Sequence, residues 1–256
     1  MIHPSALIDP TAKIGNNVTI GAFSIIGADV SIGDGSWIGP HVVISGPTRI
    51  GRENKIFQFC SIGEAPQDLK YNGEPTLLEI GDRNVIREYA TLNRGTVTGI
   101  GKTLIGNDNL LMAYTHVAHD CIIGDHAILA NGASLAGHVE IGDYAILGGF
   151  TLVHQFTQIG KHAFCGMGTV VAQNIPPFAT AAGNRAHTAG INKEGLKRRG
   201  FSPELIRALH KTFRQMVKSK LPREEALLEI QPLREAFPDV EYLVQFILNS
   251  KRGITR

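Results

Sequence analysis

Aliphatic residues recur at every sixth position along most of the chain. Isoleucine holds this position from Ile2 to Ile62 without one interruption. After a gap the register returns and runs from Ile105 to Val171, with Cys165 as its one non-aliphatic member. The residue after each aliphatic position is often glycine, and the residue four positions after it is usually small. So regular a period indicates a repeat architecture.

A period of six fits neither an amphipathic helix nor an alternating strand, but it fits a chain that turns a corner after each short strand. Three such sides make an 18-residue coil, and coils stack at about 4.8 Å with aliphatic side chains inside a triangular prism. We expect glycine to relieve backbone strain at the corners. The pattern predicts a mainly β fold, a parallel β-helix of hexapeptide repeats over residues 1–190, but it does not give the hand of the coil.

Two segments break the register and are rich in polar residues or glycine. They cover residues 63–79 and 93–104, and we predict that both leave the prism as loops. Loops on a rigid scaffold often carry function.

Helical signals replace the repeat near the end of the chain. Ser202 followed by Pro203 is typical of a helix N-terminus, and an apolar stripe follows it. Two further segments, 223–236 and 239–250, also have helical patterns. Together these signals predict an α-helical C-terminal domain over residues 191–256.

Composition and cysteine usage narrow the class of protein. Of 256 residues 43% are apolar, yet no stretch is long and apolar enough to cross a bilayer. We therefore expect a cytoplasmic protein that is not an integral membrane protein, and we expect no nucleic-acid partner. Cys60, Cys121 and Cys165 lack metal-site spacing and fall on inward positions of the repeat, which favours core packing over catalysis.

The coil length also places polar residues near one another, because positions 18 apart lie one above another. One outward row then contains His119, Gly137 and Gln155, and the adjacent row contains Asp120, His138 and Phe156. His116 and His154 belong to the same three coils.

This cluster has the groups that acyl transfer requires. A histidine removes protons near neutral pH, and a neighbouring carboxylate such as Asp120 fixes its tautomer. The N–H of Gly137 is suited to a developing oxyanion, where one donor is worth about 3 kcal/mol. Two alternatives stay open: a zinc-dependent hexapeptide enzyme of the carbonic anhydrase type, because histidine clusters bind metals, and a non-catalytic trimeric scaffold.

Several motifs identify a family. The segments HVAHD at 116–120, AGH at 136–138, HQF at 154–156 and GLKRRG at 195–200, with QDLKY at 67–71, together resemble bacterial UDP-N-acetylglucosamine 3-O-acyltransferases. The resemblance covers essentially the whole chain. It implies a left-handed coil and a homotrimer with active sites between adjacent prisms. It also implies transfer of an (R)-3-hydroxyacyl group from acyl carrier protein to the sugar 3-hydroxyl, the first step of lipid A synthesis.

The resemblance also implies roles for individual residues. His119 would be the general base, Asp120 would orient it, and the Gly137 N–H would stabilise the oxyanion. No metal, covalent acyl-enzyme or cofactor is implied beyond the phosphopantetheine of the carrier protein. Residues 190–256 carry 14 basic against 8 acidic residues, a surface suited to an acidic carrier. The implied substrate-binding residues are Asp68, Lys70, His116, His138, His154, Gln155, Asn192, Glu194, Arg198 and Arg199.

Two further positions bear on the substrate. Asn93 stands where family members often have histidine, so a substrate contact is not assigned to it. Met167 occupies the position that sets acyl length, and its bulk predicts 3-hydroxydecanoyl rather than 3-hydroxymyristoyl as the preferred donor.

Overall fold

Three parallel sheets form the faces of a triangular prism in this computed structural model, which describes residues 1–256. The chain visits the first, second and third face in turn, so each regular coil gives one strand to each. The first face contains Leu7–Ile8, Ile25–Ile26, Val43–Ile44, Ser61–Glu64, Thr91–Asn93, His116–Val117, Ser134–Leu135, Leu152–Val153 and Val170–Val171. The second contains Lys13–Ile14, Val30–Ile32, Thr48–Ile50, Leu77–Ile80, Lys102–Ile105, Ile122–Ile123, Glu140–Ile141 and Gln158–Ile159. The third contains Thr19–Ile20, Trp37–Ile38, Lys55–Ile56, Val85–Ile86, Leu110–Leu111, Ile128–Leu129, Ile146–Leu147, Phe164–Cys165, Ala179–Ala182 and His187–Ile191.

The aliphatic positions of the repeat form the core, as predicted. Ile44 pairs with Ile62, and the side chains of both are fully buried inside the prism. On later coils Val117 pairs with Leu135, and Leu135 with Val153, so positions 18 apart do lie one above another. The fold is therefore the predicted left-handed parallel β-helix.

Glycine in the repeat has a different role from the one expected. A Cβ added to Gly21 would lie 2.5 Å from the backbone N of Pro40, and one added to Gly33 would lie 2.6 Å from the backbone of Gly51. The left-handed corner positions belong mainly to other residues, such as Asn17 and Phe23 with φ of 56° and 59°. The prediction of strain relief is thus wrong for these glycines: they allow neighbouring coils to approach closely.

Corner residues stack into three columns along the prism. The first corner joins the first and second faces, the second corner joins the second and third, and the third corner joins the third and first. Residues with a left-handed backbone conformation (positive φ) at the first corner include Asp29, Asp120, His138 and Phe156. Those of the second corner include Asp108, His126, Tyr144 and His162, and those of the third include Phe23, Phe59, Tyr89, Tyr114 and Phe150.

Both interruptions of the repeat lie at the first corner. Loop 65–76 connects Ser61–Glu64 to Leu77–Ile80, and loop 94–101 connects Thr91–Asn93 to Lys102–Ile105. These loops are shorter than predicted because the flanking strands extend into them. Their location puts both beside the column that contains Asp120 and His138.

The chain ends in helices packed on the prism. The last strand, His187–Ile191, pairs antiparallel with Ala179–Ala182, a departure from the parallel pattern. The helices are α1 (Lys193–Arg198), α2 (Pro203–Phe213), which continues as a π-helical turn over Arg214–Lys218, α3 (Arg223–Ala236) and α4 (Pro238–Asn249). No helix is both long and apolar enough for a membrane span.

The predicted C-terminal helices are confirmed. An ion pair also joins one of these helices to the β-helix. The Ser202 hydroxyl accepts a hydrogen bond from the Leu205 N–H at 3.2 Å, as expected of an N-cap. Lys161 Nζ lies 2.7 Å from Asp239 Oδ1, and this ion pair links the second corner to α4.

Candidate active site

His119 and Asp120 form a hydrogen-bonded pair at the first corner. His119 Nδ1 lies 2.9 Å from Asp120 Oδ2, and the aspartate side chain is fully buried whereas the histidine is 15% exposed. Asp120 has a left-handed φ of 59°, and its N–H donates to Thr103 Oγ1 at 2.9 Å. A proton on Nδ1 donates to the carboxylate, which leaves Nε2 as the basic atom of the imidazole.

Loop 94–101 covers the Asp120 carboxylate, which was predicted to face outward. Thr96 Oγ1 donates to Oδ2 at 2.6 Å, the Thr96 N–H is 3.1 Å from both oxygens, and the Ile100 N–H donates to Oδ1 at 3.1 Å. Burial raises the pKa of Asp120, but hydrogen bonds from Thr96 and His119 outweigh it, so the pKa falls below its ordinary value. The carboxylate is therefore ionised at neutral pH.

Gly137 lies directly against the His119 ring. A Cβ on Gly137 would lie 2.5 Å from His119 Cε1 and 2.7 Å from Nε2, so no larger residue fits without moving the imidazole. The Gly137 N–H donates to no acceptor of the protein. The predicted row of His119, Gly137 and Gln155 thus exists, with a free N–H beside the histidine.

His138 and His116 flank this pair. The His138 ring is perpendicular to that of His119 at 5.0 Å and stacks on Phe156 at 4.4 Å. Burial lowers the pKa of His138, while the charges of Asp120 and Asp68 partly oppose the shift. His116 Nδ1 lies 2.7 Å from Thr91 Oγ1, and burial followed by the charge of His119 lowers its pKa as well.

An apolar groove runs along the first face from this cluster. It has a volume of about 460 Å³. At one side His154 Nδ1 accepts a hydrogen bond from Arg252 Nη2 at 2.8 Å. Arg252 also donates to the Ala172 carbonyl, and no feature of the sequence had pointed to it. The groove is lined by His116, Ser134, Leu135, Ala136, Leu152, Val153, His154, Val170, Val171 and Ala172.

The two loops hold each other in place. Asp68 Oδ1 accepts the Lys70 N–H at 3.0 Å, and Lys70 is exposed. Arg94 donates to the Tyr71 hydroxyl at 3.0 Å and to two backbone carbonyls. Asn93 is buried, and its amide donates to the Ala65 carbonyl at 2.9 Å. The Asn93 side chain, at the position where the resembled family often has histidine, therefore anchors loop 65–76.

Four of the predicted substrate residues lie at a different corner. Asn192 caps α1 and also donates to the carbonyl of His162, and the Arg199 guanidinium lies 4.3 Å over the Tyr144 ring. Glu194 and Arg198 are exposed on the same helix. Within one chain the second face separates this group from His119.

Met167 lies at the third corner, on the opposite side of the first face from His119. Its side chain is 85% exposed. The apolar groove lies between these two corners.

Cysteine catalysis is excluded by burial. Cys60, Cys121 and Cys165 all lie inside the prism, where burial raises the pKa of each thiol to about 12. A nucleophilic cysteine requires the thiolate form. The predicted packing role is confirmed.

Three possible metal ligands also meet at this site. Ligand atoms of His119, Asp120 and His138 lie within 4.8 Å of one another. The Asp120 carboxylate, however, already accepts hydrogen bonds from Thr96, Ile100 and His119. A cation there would have to displace donors that the fold has fixed.

Comparisons with known proteins place the chain in a family. Residues 174–255 match the model of the second domain of UDP-N-acetylglucosamine O-acyltransferase, and residues 102–137 match the bacterial transferase hexapeptide model. The acyl-[acyl-carrier-protein]–UDP-N-acetylglucosamine O-acyltransferase of Janthinobacterium sp. (strain Marseille) is 57% identical, with 100% of this chain and 99% of that protein covered. The enzyme of the same name from Herminiimonas arsenicoxydans is 55% identical over the same shares.

Solved structures agree with this result. LpxA from Acinetobacter baumannii is 46% identical, with a TM-score of 0.96 over 100% of this chain and 99% of that one. These names give no support to the zinc-dependent alternative. The chain therefore belongs to the family of acyl-[acyl-carrier-protein]–UDP-N-acetylglucosamine O-acyltransferases.

Proposed function

We propose that this protein transfers an (R)-3-hydroxyacyl group from acyl carrier protein to the 3-hydroxyl of UDP-N-acetylglucosamine, the first step of lipid A synthesis. The names of the two relatives given above state an acyl-[acyl-carrier-protein] donor and a UDP-N-acetylglucosamine acceptor. The observation that carries the proposal is the pair of His119 and buried Asp120 beside the free N–H of Gly137.

The proposed chemistry needs only these groups. His119 Nε2 removes the proton of the sugar 3-hydroxyl as its oxygen attacks the thioester carbon. The Gly137 N–H donates to the resulting oxyanion, and the imidazolium is stabilised by Asp120. When the intermediate collapses, the C–S bond breaks and the phosphopantetheine thiolate leaves, taking the proton from His119. No acyl-enzyme forms, and the protein needs no cofactor of its own.

We further propose that the enzyme is a homotrimer. The two groups of candidate residues lie at different corners, so a symmetric assembly that sets the second corner of one chain beside the first corner of the next would complete each site. Exposed aromatic residues along the third corner, including Phe23, Tyr114 and Phe150, also favour burial against other chains. In such a site Asp68, Lys70, His138 and Gln155 would meet Asn192, Glu194, Arg198 and Arg199 of the neighbouring chain around the sugar nucleotide.

The apolar groove is proposed to hold the acyl chain. It begins near His116 and His154 and extends across the first face, which ends at the corner that bears Met167. Met167 would then limit chain length, with 3-hydroxydecanoyl preferred over 3-hydroxymyristoyl. Met167→Gly should shift preference toward the longer donor, measured by mass analysis of products from a mixture of acyl carriers. An unchanged preference would refute the assignment.

The helical region offers a surface for the carrier protein. A cavity of about 380 Å³ beside α2 has no hydrophobic lining and includes Lys211, Arg214 and Lys218. Its positive charge suits an acidic partner, for which it would raise the association rate.

The central test replaces the proposed base. His119→Ala should lower the rate of transfer from 3-hydroxydecanoyl carrier protein to UDP-N-acetylglucosamine by about 10²–10⁴-fold. The variant should elute at the same size as the parent protein. Full activity in a correctly assembled variant would refute the mechanism, and stoichiometric zinc in active enzyme would revive the metal-dependent alternative.

A further inference from the structure

We propose that Thr96 is a positioning residue that fixes the Asp120 carboxylate so that it bonds His119 rather than His138. The inference depends on the proposed role of His119 as the base. It concerns loop 94–101, to which the sequence had assigned no specific chemistry.

Two imidazoles compete for one carboxylate oxygen. Asp120 Oδ2 lies 2.9 Å from His119 Nδ1 and 3.9 Å from His138 Nδ1. A modest rotation of the carboxylate would alter both distances, because terminal torsions of this kind are broad and only loosely restrained. Some other contact must therefore fix its orientation.

Loop 94–101 supplies that contact at both oxygens. The Thr96 hydroxyl donates to Oδ2 at 2.6 Å, while the Ile100 N–H donates to Oδ1 at 3.1 Å. Both bonds are to a charged acceptor and are stronger than bonds between neutral groups. Together they hold the carboxylate plane in the orientation that directs Oδ2 at His119.

Thr96 is itself firmly placed. It is 3% exposed, and its carbonyl accepts the N–H groups of Gly99 and Gly101. Its hydroxyl also lies 3.1 Å from the Thr98 hydroxyl. Because Thr98 can donate to Thr96, the single Thr96 hydroxyl hydrogen is free to point at Asp120.

The loop leaves little space for another arrangement. A Cβ on Gly99 would lie 2.3 to 2.5 Å from the three carboxyl atoms of Asp120, so the backbone of the loop packs directly on that group. The Thr96 hydroxyl is thus one part of a closely fitted cover, and it is the part that a single substitution removes.

The test replaces the hydroxyl by a methyl group of similar size. Thr96→Val removes the hydroxyl bond to Asp120 but keeps the backbone donors. We expect kcat to fall by about 10–100-fold, the range seen when a partner that orients a metal ligand is removed, since the hydroxyl orients Asp120 in a comparable way. The KM for each substrate should stay within about twofold because Thr96 is buried, with only 3% of its surface exposed. Thr96→Ser restores the hydroxyl and should recover most of kcat.

Thr157→Val is the matched control. Thr157 is also buried in the β-helix, next to Phe156 of the first corner, but its hydroxyl has no hydrogen-bond partner. The same chemical change there should leave kcat unaltered. An equal loss in Thr157→Val would show that Thr96→Val acts through general packing and would overturn the proposal.

A double-mutant cycle with Asp120→Asn tests the route of the effect. If Thr96 acts only through the ionised carboxylate, adding Thr96→Val to Asp120→Asn should cause little further loss. A full and additive loss would overturn the inference. Thr96→Ala serves in the same cycle if the valine variant does not fold. Wild-type activity in His119→Ala would instead refute the proposed function, so the two failures are distinguishable.

Discussion

Histidines occupy both the first and the second corner of the same prism, yet their surroundings differ. At the second corner His162 stacks on Tyr144 at 4.9 Å and on Phe178 at 5.8 Å. Burial, followed by the positive charges of Lys161 and Arg199, lowers the pKa of His162 to about 4. At the first corner His119 instead bonds the ionised Asp120. One corner holds a neutral packing residue, and the other holds a candidate base.

The difference comes from insertions in the repeat. At the regular second corner an aspartate such as Asp143 is exposed and accepts one backbone N–H, from Asp125. Loop 94–101 adds further donors at the first corner, through Thr96 and Ile100. A repetitive scaffold therefore gains a reactive centre where the repeat is interrupted.

The largest expected effect comes from the same substitution at the two corners. Asp120→Asn should lower kcat by about 10²–10⁴-fold, because the amide can donate to Nδ1 and leave the proton on Nε2. Asp143→Asn at the second corner should change kcat little. Asp143 Oδ1 accepts the Asp125 N–H at 2.8 Å, and the amide oxygen of asparagine can accept the same bond. Steady-state kinetics of both variants check the contrast, which similar losses would contradict.

A smaller effect is expected from glycine substitutions. Gly137→Ala keeps the backbone N–H but pushes the His119 ring, and a displacement near 1 Å can cost about 10²-fold in rate. Gly149→Ala at the third corner meets nothing closer than the Asn131 carbonyl at 3.4 Å, so it should be nearly silent. Parallel rate measurements would show whether the first corner alone is sterically intolerant.

The smallest effect concerns stability and pH. The folded pKa of His162, about 4, lies below the unfolded value of about 6.5, so the unfolded chain binds the extra proton between these values. The contribution of neutral His162 to the free energy of unfolding is therefore fully present above pH 6.5 and is lost as the pH falls toward 4. Because His162 is only partly buried, the screened contribution is on the order of 1 kcal/mol, about 2–4 °C in Tm.

His162→Phe should retain the stack and remove this dependence. Its Tm relative to the parent protein should be higher at pH 5 than at pH 7.5, as measured by differential scanning calorimetry. A difference that does not change with pH would mean that His162 does not couple protonation to folding.

Much of the fold and part of the site follow from the sequence. The six-residue period predicted the prism, and its 18-residue coil predicted that Gly137 lies against His119, because stacked coils repeat with fixed register. Thr91 was not predicted to contact His116 because loop 94–101 lies between them and breaks the 18-residue spacing, although the two residues are paired in the first face. Arg252 was not predicted because it lies outside the repeat, so spacing does not relate it to His154. The glycine prediction was wrong because the spacing between coils is a property of the packed backbone.

The sequence by itself determined the repeat, the inward positions and the rows that contain His119 and Gly137. Each of these follows from a local rule applied again every six or eighteen residues. Only the tertiary structure decided that loop 94–101 folds over Asp120, and that Asn192 and Arg199 lie one face away from His119. Loops and helices outside the repeat take positions set by long-range contacts, which spacing along the chain does not encode.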